Sequence, residues 1–522
     1  MNGKRNPSIL RMALLTGFAL CAVNVSAQDI YEWEAWRAGR NIAGLALSSS
    51  PRGEVTSKVA SSSAELTGGC TWGGFKDNSE ASTLWSTGAK ADTEVHFKDM
   101  LFTGDFSFAI ESGMDMMGSM FTRPGYYPID VLEFTPGAKI LQRYGAGGGF
   151  AWKNASRFIP GGTFRFEGDN YAKRKDIRHT TYRQELEVVP SLVWDGPGVA
   201  LGGSAIFSKT SEFVQAEQIG SATAESYYAF LDKGLMYGTY QVWDGNGIHL
   251  AEAGVDRLPV REFSWGGALQ LSVGDWLYGD VEYLRSKGEI GEKGYTWFRF
   301  PGSTLSASLS WTLHRPAGVH VIRAQYKWSR QETDESVIEK TTLGGVTTPS
   351  EYGSNRIFES RKLSAGPSYG FYGDNGFELR SSLLVAWERD RSTLMYPFLD
   401  KDEHTVLHFD VESLIPAGPL DIEAGLLFGS KIGEHRHVVD NDNIGLGVTS
   451  YPFRLTDWYD AKSELDDAPR LGASLGLRYN FTIAHRFKLY VSASYSITHA
   501  FGITYLPGSN RQAGIIKFGY DF

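Results

Sequence analysis

The chain has 522 residues, a formal net charge of −9, 13% aromatic residues, 60 glycines and a mean hydropathy of −0.25. The acidic balance argues against nucleic acid as a partner, and two cysteines cannot build a cysteine metal cluster. Beyond the first residues no apolar run approaches about 20 residues, which excludes a helical membrane bundle.

Residues 1–27 carry Lys4, Arg5 and Arg11, an apolar run from Met12 to Val25, and Val25-Ser26-Ala27 before Gln28. This order is that of a secretory signal peptide. Leu20, bulky and directly before Cys21, suits lipoprotein processing poorly, so cleavage after Ala27 is expected. Cleavage would leave Cys70 as the one cysteine and lower the net charge from −9 to −12. Residues 28–50, with Trp33, Trp36 and Asn41-Ile42-Ala43-Gly44-Leu45, are expected to form a short periplasmic or lumenal lead-in to a strand-rich remainder over 51–522.

Met114-Asp115-Met116-Met117-Gly118-Ser119-Met120, followed by Phe121 and Tyr126-Tyr127, reads as a loop. Thioethers suit soft metals, but a loop folded into a lumen or onto its neighbours is the preferred reading. Gly145 to Phe150 is glycine-rich for a strand. From Leu186 the pattern clears: Leu186, Val188, Pro190, Leu192 and Trp194 share one face.

The clearest segment is Thr304 to Leu313. Leu305, Ala307, Leu309, Trp311 and Leu313 alternate with Thr304, Ser306, Ser308, Ser310 and Thr312. After a turn at His314 to Gly318, Ile322, Ala324, Tyr326 and Trp328 alternate with Arg323, Gln325, Lys327 and Ser329. The rhythm recurs at 377–388, 471–480 and 487–498. A secreted sandwich or propeller would also be rich in glycine and aromatics, but soluble strands rarely hold ten clean alternations, whereas a tilted membrane strand needs about 9–11 residues. Pro190 and Pro367 lack a ladder donor and are expected to mark bulges.

Short turns at 195–198, 274–275, 314–318, 373–376, 415–418 and 482–486 alternate with long polar segments at 208–262, 286–301, 331–354, 390–403 and 430–469. Short turns on one side and long loops on the other is the outer-membrane arrangement. The fold class expected is therefore all-β: a transmembrane antiparallel barrel of about 18 strands, with 16 as the alternative and both termini in the periplasm. Trp194, Trp276, Trp311, Trp328 and Trp387 should mark the interfaces. Phe518, Tyr520 and Phe522 match the aromatic part of a barrel assembly signal, while Lys517 stands where that signal carries glycine. Outer-membrane lipid and the barrel assembly machinery are the partners this implies.

Arg165, Glu167, Glu185, Glu187, Arg323, Lys327, Glu378, Arg380, Glu388, Arg478 and Lys488 fall on the polar face and are the expected lumen lining. Mixed charges there could set solute preference, or could pair across strands and hydrate the interior. His435-Arg436-His437, with Asp440, Asp442, Asn441 and Asn443, could complete a divalent site, but a solvated outer loop is preferred and no metal or cofactor is expected. The acidic run Asp460, Glu464, Asp466, Asp467 reads as a solvated loop. No Gly-x-Ser-x-Gly, His-Glu-x-x-His or Walker segment occurs, and the single faint catalytic candidate, His499 near Ser496, is read as a residue of the membrane interface. The chain is not expected to be an enzyme.

The Asn41-to-Leu45 stretch, Arg183-Gln184-Glu185-Leu186 running into Pro190-Ser191-Leu192, and the Phe518-x-Tyr520-x-Phe522 end resemble a family of Bacteroidota outer-membrane barrels of the domain-of-unknown-function 6850 type. The resemblance implies a barrel, outer-membrane residence, and an association with TonB-dependent receptor systems. Two functions are therefore carried forward: a channel or uptake component for small solutes, and a closed barrel serving as accessory partner of a TonB-dependent receptor or surface ligand-binding protein.

Overall fold

The computed structural model describes residues 35–36, 39–48, 59–153, 156–175, 178–217, 229–234, 240–243, 257–292, 295–343, 346–393, 398, 400–438, 455–483 and 487–521. The expected signal peptide, Trp33, the turn residues 484–486, Asp440 to Asn443 and Phe522 lie outside the described residues.

The strands are β1 (Val59–Trp72), β2 (Thr83–Phe97), β3 (Met100–Ser119), β4 (Asp130–Trp152), β5 (Phe158–Lys173), β6 (Arg178–Gly196), β7 (Val199–Glu217), β8 (Ala229–Asp232), β9 (Tyr240–Trp243), β10 (Arg257–Val273), β11 (Leu277–Glu292) and β12 (Tyr295–Arg315). They continue with β13 (Gly318–Leu343), β14 (Val346–Gly373), β15 (Glu378–Ser392), β16 (Asp400–Ala417), β17 (Leu420–Lys431), β18 (Arg436–Val438), β19 (Arg470–Ile483), β20 (Phe487–Ala500) and β21 (Asn510–Asp521). Helices among the described residues include α1 (Ile42–Ser48) and α2 (Leu455–Asp467).

Eighteen of the described strands make one antiparallel ring. Neighbours in sequence pair, β7 bonds directly to β10, β17 bonds to β19, and β21 returns onto β1 from Ser63↔Asp521 to Trp72↔Gln512. Closure leaves no sheet edge, which a strand fold in hydrocarbon requires. The three remaining strands are outgrowths: the β8–β9 hairpin adds to the start of β4, and β18 pairs with the start of β16.

Period-two alternation fixes the two faces. Leu309 and Trp311 are 54% and 50% exposed, while Ser310 and Thr312 between and beyond them are 0% and 2% exposed. Leu475, Leu477, Ile516 and Phe518 repeat the outward pattern. At roughly 25 cal/mol per Å² of apolar surface, such an exterior is untenable in water and matches acyl chains. The molecule is an outer-membrane barrel. Trp276 and Trp311 sit beside the short turns at one rim. Six residues farther along β13 from Ile322, the ladder partner of Trp311, Trp328 faces Leu363, and Trp387 faces Leu363 from its other side, so these two tryptophans stand at one height.

Three sequence expectations need correction. Pro190 and Pro367 make no bulge: Val188↔Phe207 and Ser191↔Ser204 keep one register, as do Ala365↔Val385 and Ser368↔Ser382. The missing N–H deletes rungs on one flank without inserting a residue. Register shifts occur instead at Ile290/Gly291, Thr333/Asp334, Val337/Ile338 and around Met116. Secondly, much of the polar stretches read as loops is ladder. β13 and β14 run 26 and 28 residues, so at about 3.3 Å per residue each extends roughly 85 Å along its own axis, far past the lipid. Charges read as loop make cross-strand pairs there, such as Asp334, which meets Arg356 at 2.5 Å. Thirdly, Met114 to Ser119 belong to β3, with Asp115 held at φ 55° and Gly118 at φ 83° where the strand kinks.

Candidate functional site

The ring would enclose a wide lumen, and the chain's own segments stand in it. On the side of the short turns, Asn41 caps α1 by accepting the Gly44 N–H at 3.2 Å. Ile42, Ala43, Leu45 and Ala46 then pack on Leu101, Ala151, Ile159 and Val193 from the ends of β3 to β6. Glycine makes this approach possible. A Cβ on Gly149 would lie 2.5 Å from Ile42 Cδ1, and one on Gly161 would lie 2.8 Å from Ile42 Cγ2. Polar contacts complete the dock: Asn41 Nδ2 donates to Gln270 Oε1 at 3.0 Å, and Arg40 pairs with Glu187 at 2.9 Å and Glu282 at 3.6 Å.

Toward the opposite, extracellular mouth, residues 120–129 between β3 and β4 fold inward. Phe121, Tyr127 and Ile129 are buried with Val214, Val260, Ile290, Phe298, Phe300 and Phe358, so this segment reaches the walls of β7, β10, β11, β12 and β14. Its polar groups find wall partners. The Thr122 N–H donates to Glu212 at 2.8 Å, Tyr126 OH donates to Glu262 at 2.9 Å, and Thr181 Oγ1 donates to the Met120 carbonyl at 2.7 Å. Arg123 reaches Glu167 at 2.6 Å and Glu185 at 3.4 Å. Beneath it the fully buried Arg183 pairs with Asp169 at 3.0 Å, with Glu167 at 3.7 Å, and with Glu185. Two guanidiniums and three carboxylates thus tie the inward segment to β5 and β6.

Helix α2 occupies the same mouth from another side. Ala461 and Leu465 pack on Phe75, Ala500 and Leu506, and Trp458 meets the Phe134 ring edge-on at 4.5 Å. Glu464 accepts the N–H groups of Thr504, Tyr505 and Leu506 at 2.5, 2.8 and 2.8 Å. The acidic run read as solvated loop is this helix and its anchors.

His435 likewise is not solvated, its side chain being buried among carboxylates, whereas His437 stays exposed on the short strand β18. His435 Nε2 is 2.5 Å from Asp402 Oδ1 and its Nδ1 is 2.6 Å from Asp467 Oδ2. His404 Nδ1 lies 3.1 Å from Asp402 Oδ2, and His437 Nδ1 lies 3.2 Å from Asp402 Oδ1. Burial disfavours the imidazolium of His435, but its hydrogen bonds to Asp402 and Asp467 outweigh that and push its pKa up to about 10.

Of the residues named from the sequence, Arg165, Glu167 and Glu185 converge on the Arg123–Arg183 cluster, with Arg165 and Glu167 3.0 Å apart. Glu187 holds Arg40. Glu378 pairs with Arg380 at 3.0 Å, Glu388 with Lys362, and Arg323 donates to Ser310 at 2.8 Å. Arg478 lies over the Tyr490 ring at 3.7 Å; Lys327 and Lys488 lie across the ladder from Ser306 and Asp521, away from the Arg123–Arg183 cluster. Phe518 and Tyr520 take outward positions on β21, while Lys517 turns inward to Glu65 at 3.7 Å. His499 bonds Asn510 at 2.6 Å and lies three positions from Ser496, on the other strand face. Arg123, Arg183, Asp169, Glu212 and Glu262 were missed. Arg183 carried a signal, standing two residues before Glu185 on the same face; Arg123 carried none.

A protein-family model described as a family of unknown function (DUF6850) matches residues 56–522. No curated protein sequence matches the chain. Among solved structures, the ferric preacinetobactin receptor BauA of Acinetobacter baumannii is 9% identical, with 90% of this chain and 81% of that one covered and a TM-score of 0.42. The siderophore receptor PirA of Acinetobacter baumannii is 8% identical, with 90% and 81% covered and a TM-score of 0.42. The copper transporter OprC is 10% identical, with 90% and 81% covered and a TM-score of 0.41. The barrel assignment rests on ladder closure and the apolar exterior, not on these scores.

Proposed function

The chain belongs to this family of unknown function, and we propose that it is an outer-membrane channel passing small hydrophilic solutes through a constriction formed by residues 120–129. The observation that carries the reading is the bond of Arg123 to Glu167 and Glu185, by which a segment standing in the lumen is held to a charged wall. Rings of eighteen strands are wide enough for an aqueous path, and opposed fixed charges at a narrowing select solutes by field. Neutral-pH charge of both signs at that level favours small solutes that carry both signs over strong anions or cations.

The test is planar-bilayer conductance of the purified full-length chain. Wild type should give steady channels, and Arg123→Ala should raise single-channel conductance and alter cation/anion selectivity. Equal conductance and selectivity in both would remove the constriction from the pathway.

A second reading draws support from the apolar packing under the inward segment, which includes the fully buried Phe121, Ile129 and Phe298. So packed, the segment would act as a permanent plug, and the barrel would be an accessory partner of a TonB-dependent receptor, as in Bacteroidota uptake systems. Absence of channels from wild type and Arg123→Ala alike, together with co-purification of such a receptor, is the outcome that favours it.

A further inference from the structure

Three histidines and two aspartates from four elements meet beside α2. Asp402 and His404 project from one face of β16, His435 precedes β18, His437 lies on β18, and Asp467 ends α2. Ligand atoms of Asp402, His404 and His435 all lie within 4.8 Å of one another. Four-coordinate ions bound at about 2.0–2.1 Å hold their ligand atoms roughly 3.3 Å apart. The separations of 3.1 Å (His404 Nδ1 to Asp402 Oδ2) and 3.2 Å (His437 Nδ1 to Asp402 Oδ1) lie just under that spacing, and His435 Nε2 stands closer, 2.5 Å from Asp402 Oδ1.

The outer contacts fit as well. With Nδ1 of His435 engaged by Asp467 at 2.6 Å, its Nε2 is the nitrogen aimed at Asp402 and His404. A carboxylate behind a histidine, fixing tautomer and ring orientation, is the recurrent outer arrangement of bound metals. Directly across the ladder from Asp402, Asp390 is buried, with the Lys362 ammonium and the Ser360 hydroxyl facing it.

We propose that Asp402, His404 and His435, with His437 alongside, bind one divalent transition-metal ion. Imidazole with carboxylate selects zinc, copper(II) or nickel over calcium and magnesium, which take oxygen ligands. Bound there, the ion links β16, the segment before β18 and, through Asp467, the end of α2. Asp467 acts as a positioning residue. This site stands independently of whether the lumen conducts.

The experiment uses the full-length protein in detergent, stripped with EDTA and titrated with zinc sulfate by calorimetry, then loaded with cobalt(II) for visible absorption. One ion per chain is expected, with the intense bands of a four-coordinate nitrogen–oxygen set. His404→Gln and His435→Gln should each weaken zinc binding at least tenfold; Asp467→Asn should weaken it about 10–100-fold and shift the cobalt bands, while His499→Gln should change neither. The cobalt spectrum of the wild type keeps the test valid if a variant fails to fold. No zinc uptake by wild type, a six-coordinate cobalt spectrum like that of the free ion, or unchanged affinity in folded His404→Gln and His435→Gln would overturn the site.

Discussion

Arg183 and Asp169 meet at 3.0 Å on adjacent strands, with the guanidinium wholly enclosed beneath the inward segment. Glu167 and Glu185 complete its surroundings, and both also receive Arg123. The position is therefore a hinge between wall and constriction. Removing one partner of a buried ionic cluster leaves the others uncompensated, which costs about 3–5 kcal/mol. Arg183→Ala should lower the temperature at which the folded band is lost in heat-modified electrophoresis, and Arg183→Lys, a point charge without the planar fork, should recover only part of it. An unchanged transition in Arg183→Ala would mean that water and Arg123 satisfy the carboxylates.

The exterior makes a sharper prediction. Leu309 points outward near mid-strand and Ser308 beside it points inward. Leu309→Arg should cost about 2–4 kcal/mol in a bilayer, as charge on a lipid face does near the midplane. Ser308→Arg, facing a wet interior, should cost much less. Urea unfolding in lipid vesicles compares the two, and equal losses would contradict the assignment of faces.

Helix α2 hangs on one carboxylate. Glu464 accepts three consecutive backbone N–H groups from the segment joining β20 to β21, and hydrogen bonds to a charged acceptor contribute about 1.5–3 kcal/mol each when broken singly. Glu464→Ala should free the end of α2 from residues 504–506 while the ring stays closed. External protease added to intact cells should then cut within 455–467 in the variant at doses that spare the wild type. Equal resistance would show that the packing of Leu465 and Trp458 suffices.

Much of the wall was legible because a membrane strand writes its two solvents into alternate positions, and Thr304–Leu313 or Phe487–Thr498 needs no tertiary information to be read. The upper barrel was not. A charged residue such as Asp334 looks like loop when read singly, and only the register that sets it beside Arg356 reveals a ladder. The same holds inside. His435 and His437 were visible as an alternating pair, but their carboxylate partners, Asp402 and Asp467, come from 33 positions upstream of His435 and 32 downstream. Sequence neighbourhood pointed to Asp440 and Asp442 instead. Lumenal contacts are set by which strands face one another across a closed ring, and period two says nothing of that.

The glycines of β4 show how a weakness in strand propensity can be a docking surface. Gly145 to Phe150 reads as poor strand because glycine packs nothing and lowers β preference. Pairing with β3 and β5 nevertheless continues through Gly147, Gly148 and Gly149, since hydrogen bonds need no side chain. What the missing side chain provides is room. At Gly149 a Cβ would meet Ile42 Cδ1 at 2.5 Å and Thr163 Cγ2 at 2.8 Å. Gly149→Val therefore cannot coexist with α1 where it lies, although a lone valine improves the strand. The variant should assemble as a barrel but release residues 39–48 from the wall, making them cleavable by protease added on the side of the short turns. Ile42→Ala in the same chain should restore part of the protection by vacating the space. Wild-type protection in Gly149→Val alone would mean that the helix shifts along the wall instead of leaving it, with Asn41 and Gln270 still joined.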